Sequence, residues 1–217
     1  MVREVVAEVW RLFIRRFWRT LFIVALLLAP LELGVAFFDP DFSSVAPSWW
    51  WWIGISSAVT LLVFPWVIGA VVHDVGVGEG KAIDAYGHTA GRLPALIISA
   101  VVSTVAIVLG TIALVIPGLL LMARWALVVP LIVFEGVTWR ESLSRSNELV
   151  RGRTWSVAGI FVVLTLIMLA IAIPPLAAAS FWLDNVLGAW LATMILDTVC
   201  VAFYSYAPFV LYRRFTG

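Results

Sequence analysis

Apolar residues in this chain come in long runs, and polar residues are gathered between the runs. A helix needs roughly 20 apolar residues to cross the hydrocarbon core of about 30 Å in a bilayer. The runs predict six spans, at about residues 20–38, 49–73, 93–116, 119–135, 154–173 and 187–212. Residues 1–19 follow a different pattern. Glu4, Glu8, Arg11, Arg15 and Arg19 fall on one helical stripe and Val6, Val9, Trp10, Phe13 and Phe17 on the other, which predicts a helix lying in the membrane interface. A cleaved signal peptide fits less well, because the charged stretch is long and the chain beyond it is equally apolar.

The segments between the spans carry their own signals. After the first span comes an acidic, turn-rich connector from Asp39 to Ser48, and then Trp49 to Trp52, whose amphipathic indoles suit the headgroup level. Asp74 to Gly91 reads as a flexible polar return. Gly76, Gly78 and Gly80 lack the preceding strand of a nucleotide-binding loop. His73, Asp74, Asp84 and His88 lack metal-ligand spacing, so they are expected to be solvated. Ser99, Ser103, Ala106, Gly110 and Ala113 share one face of the third span, a pattern that lets membrane helices approach closely and predicts a central position for it.

Pro117-Gly118 turns the chain into the fourth span. Thr138 and Glu141 then open a second surface helix with a capping-box spacing. The fifth span ends at Pro174-Pro175, and the sixth ends at Arg213-Arg214. Arg19, Arg92 and Arg153 precede the odd spans, while Pro65, Pro130 and Pro208 sit near the cytosolic ends of the even ones. Three repeated helical hairpins would produce this pattern, and so would chance similarity among apolar segments.

Composition confirms the class. Hydrophobic residues make up 63% of the chain and charged residues only 12%, with a mean hydropathy of +1.07, whereas a soluble domain is about one quarter charged. The expected fold is all-α: one polytopic membrane domain over residues 1–217, with amphipathic surface helices and no room for a soluble domain of ordinary size. With an N-terminus in the cytosol, every one of the 14 basic residues except Arg124 falls in a cytosolic segment. The positive-inside rule therefore predicts that both termini are cytoplasmic. Because that rule accounts for the arginines, no nucleic-acid partner is expected. Cys200 is the only cysteine, so no intrachain disulfide forms.

Glu32, Arg124 and Asp197 lie within spans, where a charge costs about 2.5–3.5 kcal/mol on insertion scales and calls for a partner. Counting residues from the outer ends of the spans predicts one intramembrane cluster in which Arg124 is buried and paired with Glu32 or Asp197. Two meanings stay open: a structural ion-pair cluster, or a polar site for substrate or protons. At the cytosolic boundary, Glu135 is expected to pair with Arg140 or to cap the region that holds Arg145, Arg151 and Arg153. No nucleophile-base pair or metal-ligand motif is legible, so neither catalysis, a metal nor a cofactor is expected.

The stretch PGLLLMARWALVVPLIVFEGVTWRESLSRSNELVRGRTWSVAGI resembles the membrane domain found alongside bacterial and archaeal glycerophosphoryl diester phosphodiesterases, and the stand-alone six-span relatives of that domain. Pro117, Gly118, Arg124, Pro130, Glu135, Gly136, Ser142, Leu143, Ser146, Leu149, Gly152 and Trp155 carry the resemblance. It implies a prokaryotic plasma-membrane protein with some connection to membrane lipids. The diesterase activity of such proteins resides in a separate soluble barrel that this chain does not contain. The functional expectation is a non-catalytic scaffold or accessory component in membrane or lipid homeostasis. Its partners would be membrane lipids and either another membrane protein or a second copy. A small transporter or channel using Glu32, Arg124 and Asp197 is the alternative, and an intramembrane lipid enzyme is a third.

Overall fold

A computed structural model describes residues 1–37, 47–78, 81–182 and 186–217. Within them the chain is helical, in the order α1 (Val2–Phe37), α2 (Pro47–Val77), α3 (Ala82–Ala90), α4 (Leu93–Ala113), α5 (Val115–Arg124), α6 (Val128–Pro130), a π-helical turn (Leu131–Glu135), α7 (Trp139–Val150), α8 (Thr154–Trp182) and α9 (Val186–Thr216). Among the described residues, four segments are long and apolar enough to cross a membrane: Leu93–Ala113, Val115–Glu135, Thr154–Ile171 and Trp190–Thr216. Residues 39–46 of the expected connector lie outside the described residues, as do the side chains of Trp49–Trp52, whereas Pro47 and Ser48 belong to α2.

The frame of the fold is α1 packed antiparallel on α9, the most extensive helix pairing among the described residues. Val5, Val9, Ile23, Val24 and Leu28 of α1 are buried, as are Val199, Ala202, Phe203, Tyr206 and Val210 of α9. Polar and aromatic ties recur along the pair. Thr20 and Tyr206 hydrogen-bond through their hydroxyls, Phe13 stacks on Phe203 at 5.2 Å, and the Trp190 indole N–H donates to the Ala29 carbonyl at 3.2 Å. The opposite stripe of α1 (Trp10, Ile14, Trp18, Phe22 and Leu26) is exposed at the four-residue spacing of one helix face. Lipid covers such a face without cost.

Three expectations need correction. The interfacial helix and the first span are one continuous helix of 36 residues, because no glycine or proline near Arg19 interrupts the propagating backbone bonds. The polar return contains a helix, α3, anchored by Tyr86 donating to the Ile23 carbonyl at 2.7 Å and by the Trp66 N–H donating to Thr89 at 3.1 Å. Finally, α4 is peripheral rather than central. Its small face does meet a neighbour, with Ser99 buried and Gly110 against Gly118 of α5, but Val101, Val105, Val108, Leu109 and Ile112 face outward. Small residues permit one close approach; they do not require a helix to be surrounded.

The fourth apolar run is not one straight helix. The chain leaves helical geometry at Trp125–Leu127, and Pro130, which has no N–H and crowds the preceding turn, is followed by the π-helical turn. Gly136, at φ 67°, ends the segment in the left-handed conformation that glycine tolerates. Helix α7 begins where expected, with the Thr138 hydroxyl accepting the Glu141 N–H at 3.4 Å.

Candidate functional site

Helix α7 packs its buried residues, Ser142, Ser146 and Val150, against the broken fourth run. At the break, the Ser146 hydroxyl donates to the Arg124 carbonyl at 2.7 Å and accepts the Leu127 N–H at 3.1 Å. One serine thus satisfies both backbone groups freed by the irregular turn. The Arg124 side chain is consequently exposed, beside α7 and the start of α8. It lines a recess of about 230 Å³ with Leu120, Gly152, Arg153 and Thr154, and a second of about 230 Å³ with Trp125, Leu143, Ser144 and Asn147.

Arg124 therefore does not join Glu32 and Asp197. Those two carboxyl groups, from α1 and α9, lie close enough to interact, and the Glu32 Oε2 atom is buried without a partner. The expected cluster of three divides into a carboxyl pair and a separate exposed arginine. Counting depth along an unbroken span had misplaced Arg124, because the break and α7 put this part of the chain beside the polar surface helix.

At the end of the π-turn, Glu135 pairs with Arg145 rather than Arg140 and accepts a hydrogen bond from the Tyr212 hydroxyl at 3.0 Å, joining the π-turn, α7 and α9. Arg140 stacks on Trp139 and Arg153 on Phe215, while Arg151 is exposed. Arg214 reaches back from α9 to Glu4 at 2.9 Å and Glu8 at 3.2 Å, and its guanidinium holds the Glu4 carboxyl below the usual range.

Asp74 is the polar node that sequence reasoning missed. Expected to be solvated, it is 5% exposed in its side chain and clamped by two arginines of α1. Arg19 reaches its carboxylate at 2.5–3.0 Å, and Arg16 donates to its carbonyl at 2.9 Å. Breaking such a buried pair from one side costs about 3–5 kcal/mol. A signal was present: Arg16 and Arg19 are three residues apart, on one helix face. His73 and His88 stack at 4.3 Å, and the Arg92 guanidinium lies over Gly136 with its Nη1 buried and unpartnered. Burial pushes the nearby Tyr86 phenol above its usual value.

An apolar groove of about 390 Å³ runs between α2 and α4, floored by Trp125, Val129 and Phe161 and edged by Ser99, Ser103 and Thr104. The whole polar arrangement from Arg92 to Tyr212 falls within residues 89–212, which match a family model described as the membrane domain of glycerophosphoryl diester phosphodiesterase. The chain belongs to this family. No curated protein and no solved structure matches it. The match to the phosphodiesterase membrane domain covers α4 to α9, including Arg124, Glu135 and Asp197, but not Glu32, Arg16, Arg19 or Asp74. The Asp74 clamp therefore lies wholly within residues that precede the matched region.

Proposed function

We propose that this phosphodiesterase-type membrane domain is a non-catalytic scaffold or accessory component of a prokaryotic plasma membrane, with membrane lipids and a second membrane protein or copy as its partners. The observation that carries this reading is where the charges go. Asp74, Glu135 and Arg214 each tie together two or three helices, so they act as struts of a frame. The arginine distribution supports cytosolic termini, with six helical segments that derive from three hairpins in the repeat reading. Both termini fall on one side whether the α4–α5 hairpin crosses the bilayer or only enters it.

Reconstitution into liposomes tests the scaffold. The expected result is no ion or lipid flux above protein-free vesicles and no new lipid species by mass spectrometry; turnover of a lipid would overturn it. The juxtaposition of Glu32 and Asp197 favours one second reading, a small proton-coupled transporter, since two neighbouring carboxyl groups are suited to taking up and releasing a proton. That reading requires flux driven by a pH gradient that is lost in Glu32→Gln and Asp197→Asn proteins that remain folded.

A further inference from the structure

Helix α7 limits how deep its neighbours can lie. It has 12 residues, about 18 Å, and exposes Arg140, Glu141, Arg145 and Glu148, which cannot sit in hydrocarbon at about 2.5–3.5 kcal/mol per charge. Its start follows Gly136 at the end of the π-turn, Leu143 packs in the cluster with Leu96, Val128 and Ile132, and Ser146 grips the break at Arg124 and Leu127. The fourth run from Arg124 to Gly136, and the first turns of α4, therefore lie beside a charged helix at headgroup level. Beyond Arg124, only the 10 residues of α5 remain before the chain turns at Leu114. Ten helical residues rise about 15 Å, half of a core of about 30 Å.

The composition of the turn agrees. From Val105 to Ala123 the only polar side chain is Thr111, which donates to the Ile107 carbonyl at 2.7 Å. Ile112, Leu114 and Val115 are 78%, 68% and 70% exposed at the tip. The other outward connectors, by contrast, contain Asp39, Asp41, Asp184 and Asn185. The turn is a single residue, Leu114, whose N–H donates to the Gly110 carbonyl at 3.0 Å, and Pro117 has no N–H to satisfy. Gly118 makes so tight a turn feasible, since a Cβ there would meet the Thr111 backbone N at 2.8 Å.

We infer that the α4–α5 hairpin is re-entrant: it inserts from the side on which α7 lies, reaches about mid-bilayer, and returns, with the acyl chains of that leaflet as the partner of its tip. The crossings are then α1, α2, α8 and α9, and the domain displaces more lipid from one leaflet than from the other.

Single cysteines in a Cys200→Ala background test this in sealed vesicles. Leu114→Cys, Ile112→Cys and Ile116→Cys should each react with a membrane-impermeant maleimide at least about tenfold less than Ser44→Cys from its face and Ser144→Cys from the opposite face. Only proteins eluting as a single species in detergent are compared, and three tip positions guard against failure of any one. Nitroxides at the tip should collide with oxygen far more than with a water-soluble nickel chelate, with the depth maximum at Leu114. Tip labelling from the Ser44 face, or nickel accessibility that rises again at Leu114, would show a crossing hairpin and overturn the inference. Labelling from the Ser144 face would overturn it equally, by placing the tip in water. Which face is cytosolic does not affect the result.

Discussion

The α1–α9 frame and the α4–α5 hairpin are both antiparallel helix pairs in the same membrane, yet they are held in opposite ways. Along the frame, polar ties recur from Arg214–Glu4 through Thr20–Tyr206 to Trp190–Ala29, with the Asp74 clamp bracing it from α2. The hairpin has no such ties in its distal half. There the backbones meet directly at Gly110 and Gly118, and the outer faces are bare aliphatic side chains. Lipid tails compete equally well for apolar surface, so helices in a bilayer need either hydrogen-bonded groups or close small-residue contact to stay together. This protein assigns one device to each region.

The largest effect should come from breaking the clamp. Asp74→Asn leaves the guanidinium groups of Arg16 and Arg19 facing a neutral amide in a mostly buried node. Because both arginines retain some solvent, a loss near the low end of the buried-pair range, about 3 kcal/mol, is expected as a fall in thermal stability in detergent. An unchanged melting temperature would show that solvent already screens the node.

The hairpin should respond to volume instead of charge. Gly118→Ala puts a Cβ against the Thr111 backbone, which cannot yield as a flexible side chain would, and should cost about 1–3 kcal/mol. Proteolysis or cysteine cross-linking between α4 and α5 would reveal the opened hairpin while the α1–α9 pair stays intact. Loss of both regions together would refute the division into two separately held parts.

The smallest effect is at the exposed end of the frame. Arg214 lowers the Glu4 carboxyl below its ordinary value of 4.5, so the pair's stabilisation is fully present above that value in the unfolded chain and is lost as pH falls through the lower folded one. Arg214→Gln should barely change stability near neutrality, as exposed pairs contribute little, and should flatten the acid dependence below the usual carboxylate range. Melting curves across that range check it.

Much of this was legible along the chain. The apolar runs marked the helices, Thr138 marked the start of α7, and the stretch from Pro117 to Trp155 pointed to the family. The site was less legible. Glu32 and Asp197 were recognised as intramembrane carboxyls, but their mutual contact depends on how α1 crosses α9, which no local spacing encodes. Asp74 looked like any acidic residue at a helix end, because burial by a helix 55 residues earlier leaves no trace in its neighbours.

The sequence by itself determined that the chain is helical and membrane-embedded, because lipid forces backbone groups to pair within each segment and therefore makes the run length decisive. It also determined the uneven placement of arginine. Only the tertiary structure decided which charges meet, that Arg124 stands beside α7 instead of inside the bundle, and how far the α4–α5 hairpin extends beyond the surface helix. Those outcomes depend on a break at Trp125–Leu127 that is stabilised by Ser146, a residue 19 positions after Leu127. Hydropathy sums over side chains within one segment, whereas that break is set by hydrogen bonds between two.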